Sequence, residues 1–167
     1  MRLIAFAGRA GAGKDTAAAA VEGGHRVAFA GPLKQALAAM TDVPLEAFHD
    51  RDLKEHPVTR TGHSPRALMR WLGAAARFEL GADFWVRRLS REIERCDEDL
   101  VVITDLRFAN ECAWVQARGG EVYFIDADAR LGAASDDAAA IRFFPGVVTI
   151  ENNGSVAEFL EKVSKQI

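Results

Sequence analysis

Two cysteines, Cys96 and Cys112, are all that the 167 residues contain. Their spacing fits no metal-ligand pattern and no secretory context surrounds them, so a reduced, structural pair in a cytosolic protein is expected. No signal peptide is expected either: the stretch from Met1 to Ala7 is short and leads straight into a glycine-rich loop. No apolar run is long enough to span a bilayer. Internal repeats are absent. Neither sign of charge prevails, with 21 Lys and Arg against 24 Asp and Glu and a formal net charge of −3. Such a balance gives no bulk attraction to nucleic acid or to a membrane surface. Local clusters of arginine are therefore to be read as sites. What is present is ordinary for a globular chain, 49% apolar and 27% charged. The length suits one domain with a proper core.

The stretch that organises the rest is Gly8-Arg9-Ala10-Gly11-Ala12-Gly13-Lys14-Asp15. An apolar run, Leu3 to Ala7, precedes it and an alanine-rich segment, Thr16 to Val21, follows it. Strand, loop and helix in that order are the setting of a phosphate-binding loop. Glycines there let the backbone take positive φ and come close to a ligand. Consecutive N–H groups then face one concavity, and a helix N-terminus adds positive potential. Lys14 would bring a full charge beside the β- and γ-phosphates. The usual pattern continues with Ser or Thr, whose hydroxyl binds Mg²⁺. Here Asp15 follows the lysine, and Thr16 comes after. A carboxylate is a good ligand for a hard cation, so Asp15 can serve the metal directly or through water. The other reading has it only capping the helix.

Along the chain, Arg2–Ala7 predicts a first strand and about Lys14 to Glu22 a helix ending at Gly23-Gly24. His25 to Ala30 reads as a second buried strand. Gly31-Pro32 opens a helix with Leu33, Leu37 and Met40 on one face. Pro44 to Phe48 suggests a further short helix, and His49 to His63 a mobile polar loop. Ser64-Pro65 opens a helix with Leu68, Trp71 and Leu72 inward. A helix from Ala82 or Asp83 to Cys96 buries Trp85, Leu89 and Ile93. Trp71, Phe78, Phe84 and Trp85 fit core positions better than a stacking platform. Leu100 to Thr104 is a third strand, apolar throughout as a doubly covered strand should be. A helix at Asn110 to Arg118, a strand at Glu121 to Ile125 and a strand at Val147 to Ile150 follow. Asp126 to Arg142 reads as a flexible lid or a broken helix. Ser155 caps a final helix to about Lys165. The alternation predicts a right-handed parallel sheet with helices on both faces and ligands at the carboxyl ends of the strands.

Asp105 follows an apolar strand directly, where a carboxylate can bind Mg²⁺ through water or orient an acceptor. A helix cap is the bland alternative. Arg107 can clamp a phosphate or stabilise transferring charge, or form a surface salt bridge with Glu111. Lys34 sits one turn into its helix, Arg66 and Arg70 share a helix face, and Arg87 and Arg88 follow Trp85. Two or three of these cations are expected to hold a second phosphate-bearing ligand, the others being solvated or paired with Glu79, Glu92 and Glu94. Arg130 and Arg142 lie in or beside the lid segment, where an arginine would stabilise a moving γ-phosphoryl. Asn152-Asn153-Gly154-Ser155 makes a turn that either rests an adenine ring against backbone or only caps the last helix.

Several stretches resemble a branch of P-loop small-molecule kinases: GKDT at Gly13–Thr16, GPLK at Gly31–Lys34 and RALMRWLG at Arg66–Gly73. To these add FWVRRL at Phe84–Leu89, TDLRFANE at Thr104–Glu111 and ENNGS at Glu151–Ser155. Their serial order is similar to that of phage-type deoxynucleoside monophosphate kinases along nearly the whole chain. Animal phosphomevalonate kinases are similar at the GKD, GPLK and Asp-x-Arg elements. The phage-type resemblance implies a three-layer P-loop NTPase fold with a five-stranded parallel sheet. It implies a single domain over residues 1–167, with an acceptor-binding helical region at about 31–96 and a lid at about 126–142. The implied reaction is in-line transfer from ATP to a (deoxy)nucleoside monophosphate, assisted by Mg²⁺. ATP would lie on Gly8, Ala10, Gly11, Ala12, Gly13, Lys14, Asp15 and Thr16, with Asn152 nearby, and the metal near Asp15 and Asp105. Lys34, Arg66, Arg70 and Arg88 would hold the acceptor. Lys14, Asp105, Arg107 and Arg130 would act on the transferring group. The implied setting is cytoplasmic (host cytoplasm for a phage-encoded chain), with nucleotides as partners, neither nucleic acid nor membrane, and a homodimer as the assembly to test. A phosphomevalonate kinase-like enzyme and a non-kinase ATP-binding switch are the competing expectations.

Overall fold

The computed structural model describes residues 1–57, 62–132 and 137–167. The strands are β1 (Arg2–Ala7), β2 (His25–Val27), β3 (Leu100–Leu106), β4 (Glu121–Asp126) and β5 (Val148–Glu151). The α-helices are α1 (Lys14–Ala19), α2 (Gly31–Thr41), α3 (Leu45–His49), α4 (Pro65–Leu80), α5 (Phe84–Ile93), α6 (Ala109–Ala117), α7 (Asp128–Leu131), α8 (Asp137–Ala140) and α9 (Val156–Gln166). Two compact units result: Met1–Ala28 together with Ser90–Ile167, and Phe29–Leu89. Among the described residues no helix is long and apolar enough to cross a membrane.

The first unit holds the whole sheet, in the order β2-β3-β1-β4-β5, with every pair parallel. β1 is central, and Leu3 to Ala7 are all buried. That is why its residues are apolar without alternation. Ile4, Phe6, Val102, Tyr123, Ile125 and Ile150 form one face's core with Ala17 and Ala18 of α1 and Phe159 and Val163 of α9. Burying Phe159 and Val163 contributes about 2 kcal/mol each. The chain leaves β1 toward β2 and leaves β3 in the opposite direction, over β1 to β4. Right-handed crossovers then put α1 and α6 on opposite faces. The result is the expected three-layer α/β arrangement, consistent with a P-loop NTPase-like fold. α9 starts with a reciprocal cap: the Ser155 hydroxyl accepts from Glu158 N at 3.3 Å, and the Glu158 carboxylate accepts from Ser155 N at 2.7 Å.

Two elements are shorter than their sequence suggests. α1 ends at Ala19 because its last turn tightens into three-residue bonds, Ala20 N to Ala17 O and Val21 N to Ala18 O. β2 stops at Val27 because β3 bulges beyond Ile103. There β1 advances from Ala5 to Ala7 while β3 advances from Ile103 to Leu106. Val27–Ile103 is the last β2–β3 pair, and the Thr104 hydroxyl donates to the Val27 carbonyl at 3.5 Å. Within 126–142 the broken-helix reading matches α7, α8 and a 3-10 turn at Ile141–Phe143. Residues 133–136 of that lid, and 58–61 of the predicted loop at 49–63, lie outside the described residues. The loop's described part carries a 3-10 turn at Leu53–Glu55.

The second unit is helical and overlaps most of the 31–96 region. Leu33 and Leu37 of α2, Phe48 of α3, Leu68 and Ala76 of α4 and Trp85 of α5 share its core. Ser64 caps α4, accepting from Ala67 N at 3.2 Å. Gly73 lets α2 and α4 close up, since a Cβ there would sit 3.3 Å from Leu33 Cδ1. Its carbonyl accepts from Trp85 Nε1 at 3.2 Å and from Arg77 Nη1 at 3.1 Å. Three apolar side chains contradict their predicted burial: Met40 is 63% exposed, Trp71 57% and Phe78 86%. α4 carries apolar residues on two stripes, and the Leu68–Ala76 stripe is the one that packs inward.

Candidate functional site

The crossovers out of β1 and β3 depart to opposite faces, which opens a crevice at the carboxyl ends of these neighbouring strands. Gly8 continues β1 into that crevice and Asp105 lies at the end of β3, in the bulge that pairs Leu106 with Ala7. The glycine loop and the carboxylate therefore sit on adjacent strands, roughly 5 Å apart in the sheet direction.

The loop is shaped by three glycines with positive φ: Gly8 at 134°, Gly11 at 80° and Gly13 at 107°. Ala12 is buried in the sheet core and pins the loop from below, while Ala10 and Gly11 are exposed. Gly13 is the residue before α1, and no side chain caps that helix. Asp15 is thus not the cap; it stands exposed in the first turn, with Thr16 exposed beside it. With six residues, α1 adds only a modest end potential, so the loop amides and Lys14 carry the electrostatics. Lys14 Nζ folds back on the loop and donates to the carbonyls of Gly8 and Arg9, both at 2.8 Å. An ammonium held at the mouth of an amide-lined turn is a complement for a polyphosphate.

Two distant segments brace this loop. Asn152 Nδ2 donates to the Ala12 carbonyl at 2.7 Å and stands where a Cβ on Gly13 would lie, 2.5 Å away. Arg130 Nη2 donates to the Gly11 carbonyl at 3.1 Å. Arg9 reaches the other way, donating to the carbonyls of Leu131, at 2.9 Å, and Gly132. Arg142 is engaged elsewhere: it bonds Asp128 at 2.8 Å, pairs with Asp126 at 3.6 Å and stacks 4.6 Å from the Phe124 ring centre. Of the two lid arginines, Arg130 faces the loop and Arg142 ties α7 to the end of β4.

Beyond Asp105, the exposed Arg107 stands on a turn that Glu111 holds. Glu111 is 2% exposed, and its carboxylate accepts from Arg107 N at 2.8 Å and Phe108 N at 3.0 Å. Its part is therefore mainly inside the turn. Arg9 and Glu111 are the residues that sequence reasoning missed as parts of the site. Glu111 had a signal, an acid three residues after the helix cap; Arg9 had none, because the carbonyls it meets lie more than a hundred residues along the chain. Among the described residues no cluster of three His, Cys, Asp or Glu side chains could hold a metal alone. Asp15 and Asp105 nevertheless suit Mg²⁺, which uses one or two carboxylates and takes its other oxygens from phosphates and water.

The four cations marked for an acceptor all belong to the second unit. Lys34 Nζ lies 3.3 Å from His49 Nδ1. Arg66 is paired with Glu55 at 2.6 Å, a partner the sequence did not indicate. Arg70 and Arg88 are exposed, and Arg70 follows Arg66 by one turn on the same face of α4.

No family model matches the chain, and no curated protein matches it. Among solved structures it is similar to the crystal structure of TT1252 from Thermus thermophilus, with 24% identity and a TM-score of 0.50. The match covers 99% of this chain and 95% of that one. The likeness is one of fold.

Proposed function

We propose that the chain is an ATP-dependent kinase that phosphorylates a (deoxy)nucleoside monophosphate to the diphosphate. The observation that supports it most is the crevice between β1 and β3, with a triple-glycine loop and Lys14 on one wall and Asp105 on the other. In this reading the amides of Gly8 to Lys14 take the ATP phosphates. Lys14 exchanges two neutral carbonyls for phosphate oxygens, and such charged bonds are about twice as strong. Mg²⁺ bound with the nucleotide would neutralise charge on the β- and γ-oxygens, and Asp15 and Asp105 would hold it. Arg130 and Arg107 stabilise the phosphoryl group in flight, while Asn152 keeps the loop in shape. Lys34, Arg66, Arg70 and Arg88 are assigned to the acceptor on the strength of the resemblance. The acceptor phosphate is already anionic, so no strong general base is needed. Positioning and charge stabilisation supply the acceleration.

The test is a coupled assay for ADP over a panel of ribo- and deoxyribonucleoside monophosphates, with phosphomevalonate included. The reading expects turnover that depends on one or a few nucleotide acceptors. Turnover with phosphomevalonate alone would move the chain to the neighbouring kinase class. ATP hydrolysis indifferent to every acceptor would replace a kinase by a nucleotide-dependent switch.

A further inference from the structure

We propose that Arg9 is a positioning residue that holds α7, and with it Arg130, against the glycine loop. Arg9 Nη1 donates to the carbonyls of Leu131 and Gly132, where α7 ends. A four-residue helix leaves its final carbonyls without partners of their own, and their partial negative charge favours a cation. In return, Arg130 Nη2 donates to the Gly11 carbonyl at 3.1 Å and its Nε lies 3.5 Å from the Asn152 carbonyl oxygen. Asn152 Nδ2 completes the ring on Ala12 O at 2.7 Å. Three loop positions, 9, 11 and 12, are thus bonded to segments more than a hundred residues away, each time through a main-chain oxygen. The backbone course of both partners sets the register of this clasp. Both bonds leave one guanidinium nitrogen, Nη1, so a lysine ammonium of shorter reach would reproduce only part of the contact.

The role of Arg9 in turnover rests on the kinase reading, in which Arg130 meets the transferring phosphoryl. Arg9 then acts through Arg130 and leaves donor binding largely to Lys14 and the amides. Removing it need not unfold the unit, because α7 keeps a second tether at its first residue, Arg142 to Asp128 at 2.8 Å.

Native-state hydrogen exchange without nucleotide tests the clasp apart from any activity. The amides to follow are those of Arg130 and Leu131, bonded to Ala127 O, and Gly132, bonded to Asp128 O. Arg9→Ala should speed their exchange about tenfold and Arg9→Lys less; exchange like that of the unaltered protein would overturn the proposal. In the kinase assay Arg9→Ala should lower kcat and shift the ATP KM by less than about threefold. Arg9→Lys should recover part of the loss, and the double variant with Arg130→Ala should be no slower than Arg130→Ala alone. Losses that multiply, or a KM effect with unaltered kcat, would also overturn it. If no acceptor is turned over, the kinase reading fails, and the exchange experiment still decides for or against the clasp.

Discussion

Alanine in place of Gly8 should cost several kcal/mol, and alanine in place of Gly23 less than about 1 kcal/mol. Both glycines have positive φ, 134° at Gly8 and 69° at Gly23. A Cβ on Gly23 meets nothing within 4 Å, so only the left-handed penalty remains, about 1 kcal/mol. At Gly8 the backbone lies past the left-handed well, in a region that costs other residues about 1–3 kcal/mol. The new Cβ would also stand 2.7 Å from the carbonyl oxygen of Ile125. That oxygen cannot retreat freely, because β4 is paired with β1 on one side and β5 on the other. Overpacking adds about 1–3 kcal/mol. Reduced freedom of the unfolded chain returns about 0.4–1 kcal/mol in both variants. The net expectation is a loss of about 2–5 kcal/mol for Gly8→Ala and less than about 1 kcal/mol for Gly23→Ala. Urea denaturation of the two variants beside the parent, with equal m-values, reads this directly. Equal stability of the two variants would refute the argument that β4 pins the entrance of the loop.

Glu111→Ala should destabilise by about 2–4 kcal/mol, since it strands the N–H groups of Arg107 and Phe108, whereas Glu111→Gln keeps an acceptor and should cost less; an alanine variant as stable as the parent would contradict this. Tyr123 is the only tyrosine, and burial first, then its bond to Glu121, pushes its hydroxyl up to about 12. The folded state therefore holds that proton more tightly, giving stability that is fully present below the ordinary value of 10.0 and lost as pH rises toward 12. Tyrosinate absorbance of the folded protein should follow the higher value; a midpoint at the ordinary value would contradict it. Burial pushes the Cys112 thiol up, so a thiol reagent should label the half-buried Cys96 well before Cys112 in the native protein, and equal rates would be the contrary result.

The inner strands were legible because they are buried on both faces, whereas the edge strand β2, expected to be buried, exposes His25 and Arg26. Leu3 to Ala7 and Val101 to Ile103 are apolar without a break, and glycines or short polar turns bound them. The second unit was harder to read. α4 has one apolar stripe through Leu68 and Ala76 and another through Trp71 and Phe78, and helical period alone cannot choose between them. Tertiary packing against α2 and α5 makes the choice. The course of the glycine loop was legible from Gly8, Gly11 and Gly13, since their positive φ is a local backbone need. The bonds that brace it were not legible from local pattern, because Asn152 and Arg130 meet the loop across more than a hundred residues; only the resemblance put these two residues near it. Nor did sequence foresee the bulge in β3, which both ends β2 early and sets Asp105 where it stands.

In the kinase reading the loop from Gly8 to Lys14 holds the phosphates of ATP. Calorimetric titration of Mg·ATP into the native protein and into Lys14→Ala tests it most directly. Saturable binding is predicted for the native protein, weakened at least about tenfold in the variant, with the unfolding midpoint of the two proteins alike. Equal affinity in both, or no binding by the native protein, would contradict it.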